Sequence, residues 1–186
     1  MDAPTYLTGK LLLAMPGMSD PRFDRAVVAM AAHDADGALG IGIGHLIPDI
    51  RFRDLLDDIG IDPGDTPDVP VHHGGPVEPH RGFVLHSPEW RAPGAMAVNP
   101  VFGLTASLEA LRAIAEGRGP RRWLFALGYA GWGAGQLDGE MQRHGWFAGE
   151  ASEPVVFETP AETRWTATWR AAGIDPAMLA SVSGHR

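Results

Sequence analysis

Apolar positions in this chain gather into short runs punctuated by glycine, proline and aspartate. Residues 11–15, Leu-Leu-Leu-Ala-Met, form one such run, and Pro16-Gly17 ends it, which suits a buried strand. Ser19 or Asp20 is then placed to cap a short helix with Pro21 at its first position. Residues 26–32 are apolar throughout, and their length and two valines favour strand over helix. Asp34-Ala35-Asp36-Gly37 reads as a turn with glycine where a positive φ is needed, and residues 38–43 follow. Two apolar runs about such a turn predict a hairpin.

Residues 52–59 read as a short helix closed by Gly60, and the proline- and aspartate-rich stretch 62–70 as a surface loop. Residues 69–73 and 82–86 look like strands joined by a connection containing Gly and Pro, and 95–104 like a further strand. The clearest helix begins at Thr105, with a stripe of Leu104, Leu108, Leu111 and Ile114 and a stop at Gly117. Residues 123–127 form a buried-type strand that leads into a glycine-rich turn and a helix over 135–144. A last strand is expected at 155–157, and helices at 160–172 and 175–181. Strands and helices interleave, yet several strand neighbours are hairpin-like, so the pattern predicts a mixed α/β fold with a mixed sheet.

Composition narrows the functional classes. A chain of 186 residues fits a single domain able to bury about 70% of its unfolded surface, and 45% hydrophobic content supplies an ordinary core. With no cysteine, disulfides, thiolate catalysis, Cys-ligated zinc and iron–sulfur clusters are excluded. The start lacks a basic segment, the run at 11–15 is short for a secretion signal, and no stretch reaches membrane-span length, so a cytoplasmic location is expected. The net charge is −8, of which residues 1–68 carry −7. Arg112, Arg118, Arg121 and Arg122 are the nearest approach to a basic patch, and read more simply as solvated charges around a turn. Direct nucleic-acid binding is therefore disfavoured.

The strongest local feature is Leu127-Gly128-Tyr129-Ala130-Gly131-Trp132-Gly133-Ala134-Gly135-Gln136-Leu137, where a strand runs through closely spaced glycines into a helix start able to favour an anion. It matches neither dinucleotide nor P-loop fingerprint and has no lysine, while Asp138 and Glu140 already complement the helix dipole. The alternative reading is architectural, with glycines turning the chain and Trp132 packing. His72 and His73 face opposite sides of a strand, and neither His80, His86 nor the Glu140/His144 pair completes a recognised ligand set, so no metal and no cofactor is assigned. No serine has a nucleophile-elbow setting. Trp165 and Trp169, four apart on one helix face, read as packing residues. The tail resembles a helix-turn-helix in outline, but its second helix carries no side chain able to read base edges.

Several segments together resemble the YqgE/AlgH family of bacterial proteins. They are Leu7-Thr8-Gly9-Lys10 with the apolar run up to Pro16, Asp20-Pro21-Arg22-Phe23, His33-Asp34 with Asp36-Gly37-Ala38, Gly74-Gly75-Pro76-Val77, Arg81-Gly82-Phe83-Val84-Leu85-His86-Ser87, and the glycine-rich segment through Leu137. The resemblance spans nearly the whole chain and implies a bent, partly barrel-like mixed sheet flanked by helices. It departs from the family at Gly44-His45-Leu46-Ile47-Pro48, where Asn and a basic-Pro step are usual, and at Asp138, where Glu is common. The family's biochemical activity is undefined, and some members carry a transcriptional-regulator label that this charge distribution does not support as direct DNA contact.

The favoured reading is an accessory or regulatory protein that binds a protein or small ligand and leans away from enzymatic activity. The candidate surface comprises Gly74, Gly75, Pro76, Arg81, His86, Gly131, Trp132, Gly133 and Gln136. The alternative is a phosphate- or nucleotide-binding protein or enzyme using the glycine-rich helix start with Arg81 or His86; a direct DNA-binding regulator ranks last.

Overall fold

The computed structural model describes residues 6–17, 23–143 and 145–183. The proposed cap at Ser19 or Asp20 with Pro21, and the Glu140/His144 pair through its histidine, lie outside them. Among the described residues, ten strands form one curled, half-barrel sheet: β1 (Leu11–Ala14), β2 (Val27–Asp34), β3 (Gly37–Gly42), β4 (Leu46–Arg51), β5 (Pro70–His73), β6 (Val77–His86), β7 (Met96–Ala97), β8 (Gly103–Thr105), β9 (Trp123–Gly133) and β10 (Trp146–Gly149). The helices are α1 (Phe52–Asp58), α2 (Leu108–Ala115), α3 (Gln136–Gln142), α4 (Ala161–Ala171) and α5 (Pro176–Ser183), with a π-helical turn at Pro154–Glu158.

The strand order is β10-β1-β2-β3-β9-β6-β8-β7, and β5, carrying β4, also pairs with β9. Strand β9 organises the sheet: its first half lies between β5, in parallel, and β6, antiparallel, and its second half pairs with β3. The change of neighbour occurs at Gly128, whose φ of +79° is left-handed, and a Cβ there would stand 2.3 Å from the Gly75 carbonyl. A Cβ on Gly74 would in turn stand 2.1 Å from the Gly128 carbonyl, so both backbones need glycine to meet.

The apolar runs in β1 and β2 do not alternate because helices cover both sides of the sheet there. Leu11, Leu13, Val27, Ala29, Ile41 and Ile43 pack with Trp165 and Trp169 of α4. Leu12, Ala14, Val28 and Met30 face the other way, onto Trp132, Leu137 and Trp146. A third cluster joins Phe52 and Leu56 of α1, and Leu111 and Ile114 of α2, to Val71, Val84 and Phe125.

Four sequence expectations are corrected. The glycine-rich segment through Gly133 is strand rather than turn, paired with β3 and bent at Gly128. The region 95–104 is a tight hairpin of β7 and β8, because the Asn99 side-chain oxygen Oδ1 accepts from Val101 N and Phe102 N, both at 2.8 Å. Thr105 ends β8, Ser107 caps α2 instead, and Leu108 is 54% exposed. Residues 155–157 lie in the π-helical turn, where the Ser152 hydroxyl accepts from Val155 N; the last strand is β10, which pairs with β1.

Candidate functional site

The connection between β5 and β6 lies against β9, with Val77 opposite Tyr129 and Gly74 N donating to Leu127 O at 2.8 Å. From there Gly74, Gly75 and Pro76 form one wall of a hollow of about 440 Å³, with Ala130 beside them. Phe23, Val27, Ile47 and Pro48 add apolar surface, and His45 and His73 are its exposed imidazoles. The segment Gly44-His45-Leu46-Ile47-Pro48 thus contributes a whole side of this hollow. That volume falls within the range of small-molecule sites, which are mostly apolar with a few polar groups.

The other expected site residues are placed elsewhere. Gly131, Trp132 and Gly133 pair with Leu39, Ala38 and Gly37 of β3. Gln136 opens α3, where its Oε1 accepts from Gly133 N at 3.0 Å and its Nε2 donates to Glu140 Oε2 at 3.1 Å. Glu140 Oε1 accepts from both Trp132 Nε1 (3.2 Å) and Trp146 Nε1 (3.0 Å), so the conspicuous tryptophan is tied into a carboxylate network. An anion at this helix start would meet Asp138 and Glu140. Arg81 lies over Phe83 and pairs with Glu78 at 3.3 Å. His86 lies opposite Trp123, at the far end of β9 from Gly133. Its ring is buried, with Nδ1 donating to Ser87 O (2.9 Å) and Nε2 accepting from the Thr105 hydroxyl (2.8 Å). Burial lowers its pKa, against the Ser87 bond and the charge of Glu89. Only Gly74, Gly75 and Pro76 of the expected set line the hollow.

Two polar constellations escape the sequence reading. His33, on β2, has Nδ1 accepting from Leu7 N at 2.9 Å and Nε2 at 3.2 Å from Asp138 Oδ1. Half of a triad is present in outline, but the nitrogen that a nucleophile would need is already occupied by a backbone donor. The second is Arg164 of α4, 4% exposed. Its Nε donates to Val155 O (3.0 Å), and its Nη1 to Ile43 O (2.6 Å) and to His72 Nε2 (2.9 Å). His72 Nδ1 lies 3.1 Å from Phe125 O and donates to it, which fixes the neutral tautomer with Nε2 as acceptor. Its pKa is pushed down to about 4, first by burial and then by the Arg164 charge. Burial lowers Arg164 to about 10, so the guanidinium stays charged at neutral pH. Ala161, Arg164, Trp165, Thr168 and Trp169 make one buried helical stripe, and an arginine inside that spacing was the available signal.

The arginines near α2 are neutralised. Arg112 pairs with Glu109 (3.1 Å), Arg118 with Glu116, Arg121 with Glu153 (3.1 Å), and Arg122 with Glu158 (2.8 Å). Among the described residues, no helix is long and apolar enough to cross a membrane.

The AlgH-like family profile matches residues 11–177. The chain belongs to this family. Proteins named UPF0301 from Novosphingobium aromaticivorans and Rhizorhabdus wittichii are 59% and 55% identical to it, over 99% and 100% of both chains. The solution structure of the AlgH protein from Pseudomonas aeruginosa superposes with a TM-score of 0.80 at 32% identity, covering 100% of this chain and 99% of that one. A crystal structure from Corynebacterium diphtheriae, 19% identical, shares the fold with a TM-score of 0.74 over 97% of this chain and 94% of that one. The half-barrel sheet is shared with the AlgH structure.

Proposed function

We propose that this AlgH-like protein is a cytoplasmic accessory or regulatory protein that acts by binding a small, largely apolar ligand, with no reaction of its own. The observation that carries the reading is the hollow of about 440 Å³ walled by Gly74, Gly75, Pro76 and Ala130, with His45 and His73 as its polar side chains. Apolar walls supply affinity through burial, and the two imidazoles select a ligand with one hydrogen-bonding group. The occupied Nδ1 of His33 and the paired arginines around α2 support a binder over a triad enzyme or a duplex-binding protein. Any effect on transcription then passes through the ligand or through another protein.

A small-molecule survey by amide NMR tests the reading. A ligand is expected to shift His45, Gly74 and Ala130 together, and Ala130→Leu, which fills the hollow, to weaken it by roughly tenfold. A broad survey with no compound that shifts those residues, or binding unaffected by Ala130→Leu, would rule the hollow out.

A further inference from the structure

Arg164 presents a feature that neither its packing nor its bonds exhaust. A buried guanidinium is ordinarily matched by a carboxylate, since withdrawing a charge from water is costly. Arg164 is 4% exposed, yet its partners are two carbonyls and a neutral imidazole; no carboxylate oxygen of a described residue lies within 4.0 Å. Its Nε and Nη1 donors are spent, whereas Nη2 has no acceptor among the described residues. Arg164 and His72 line a hollow of about 260 Å³ whose other walls include Leu124, Phe157, Pro160 and Trp123. A cation at the wall of an apolar hollow, with one donor edge unused, is a half-built ion pair.

We infer that this hollow is a second ligand site, which takes the carboxylate of a small apolar acid onto Arg164 Nη2 and its apolar body against Trp123, Phe157 and Pro160. The inference is independent of the hollow beside Gly74 and Ala130. His72 has a defined part in it. Its Nε2 holds the guanidinium plane by accepting from Nη1, and its own Nδ1 is held by Phe125 O, so the fork is oriented before a ligand arrives. The small volume suits a ligand of about ten heavy atoms. Glu162 lies on the same lining and raises the Arg164 pKa by its charge, so it opposes an incoming anion and tunes the site.

Titration of the full chain at neutral pH, followed by amide and indole NMR, tests this with sodium phenylacetate, neutral 2-phenylethanol and inorganic phosphate at fixed ionic strength. Phenylacetate is expected to give saturable shifts at the Trp123 indole and the Ala161 and Arg164 amides, with the alcohol and phosphate each weaker by roughly tenfold. Absence of saturation at about 20 mM phenylacetate, equal binding of the alcohol, or equal binding of phosphate would overturn the inference. Shifts confined to His45, Gly74 and Ala130 would also overturn it, while supporting the other hollow. Arg164→Lys keeps the charge but loses the fork, and a folded variant should bind roughly tenfold more weakly. Should that variant fail to fold, Glu162→Gln on the exposed rim decides: phenylacetate should bind roughly twofold more tightly, and unchanged affinity counts against the site.

Discussion

Two buried histidines in this molecule meet opposite charges. His33 reaches Asp138, whose side chain is 44% exposed, while His72 reaches Arg164, itself 4% exposed. Each ring has one nitrogen tied to the backbone: His33 Nδ1 accepts from Leu7 N, and His72 Nδ1 donates to Phe125 O. What separates them is where the charge resides. At His33 the carboxylate stays hydrated and the contact can rearrange at little cost. At His72 the cation is enclosed, the tautomer is dictated, and the ring cannot take up a proton without setting two positive charges and two donors face to face. The first arrangement fastens the chain near Leu7 to β2 and α3. The second joins α4 to the π-helical turn, to residue 43 beyond β3, and to β5, and leaves donor capacity unused.

The largest expected effect is at the enclosed charge. Arg164→Met removes donors from Val155 O, Ile43 O and His72 Nε2 at once. Unmatched buried acceptors cost about 1–3 kcal/mol each before relaxation, so a loss of about 3 kcal/mol is expected in urea unfolding, with an unchanged m-value. A loss below about 1 kcal/mol would break the contrast, because α4 would then be held by its tryptophans alone.

Acid sharpens the contrast next. His72 titrates near 4 in the folded chain against 6.5 unfolded, so the unfolded chain binds more protons between those values. The neutral ring's stability is therefore complete above pH 6.5 and is lost as pH falls toward 4. Between neutrality and about pH 4.5 the expected loss is roughly 2.5 kcal/mol from this group. His86, also lowered by burial, adds in the same direction. His72→Gln can still accept from Arg164 and donate to Phe125 O, so its acid-side decline should be visibly shallower in unfolding curves taken across that range. A decline as steep as that of the parent would place the titration elsewhere.

The elements show which part of this was legible. The β2–β3 hairpin and the α4 and α5 segments were readable because their signals are local: a glycine turn between apolar runs, and helical spacing closed by Gly173. Errors arose where a long-range partner overrode local preference. Leu104 and Thr105 complete a helical stripe on paper, but β6 claims them as strand. Val155 and Val156 are strand formers held in a π turn by Ser152. The glycines of β9 suggest a loop, although Gly128 and Gly74 serve a backbone contact between segments about fifty residues apart. Of the candidate site residues chosen for local conspicuousness, Gly74, Gly75 and Pro76 stayed together, while Arg81 and His86 fell on β6, Gly131, Trp132 and Gly133 on β9, and Gln136 on α3. The hollow beside Gly74 needed Phe23, Val27 and Pro48, which only the folded sheet assembles. Arg164 carried a readable anomaly, a charge within an apolar stripe, but its meaning depends on His72, 92 residues away.

The smallest effect is expected at the hydrated charge, and it is the most discriminating. Asp138→Asn keeps an oxygen acceptor for His33 Nε2 and removes only the negative charge, from a side chain 44% exposed. Exposed and half-exposed pairs contribute little, so the loss should be about 0.5 kcal/mol at neutral pH. What remains of it should shrink further in about 0.5 M salt, where the Debye length is only a few ångströms. The Arg164→Met loss should persist in the same salt, because its interactions are enclosed and screened far less. Unfolding of both variants at low and high salt makes the test. If Asp138→Asn instead cost about 2 kcal/mol at either salt, the carboxylate would be acting as a buried partner, and the two histidines would differ in the sign of their neighbour's charge but not in its hydration.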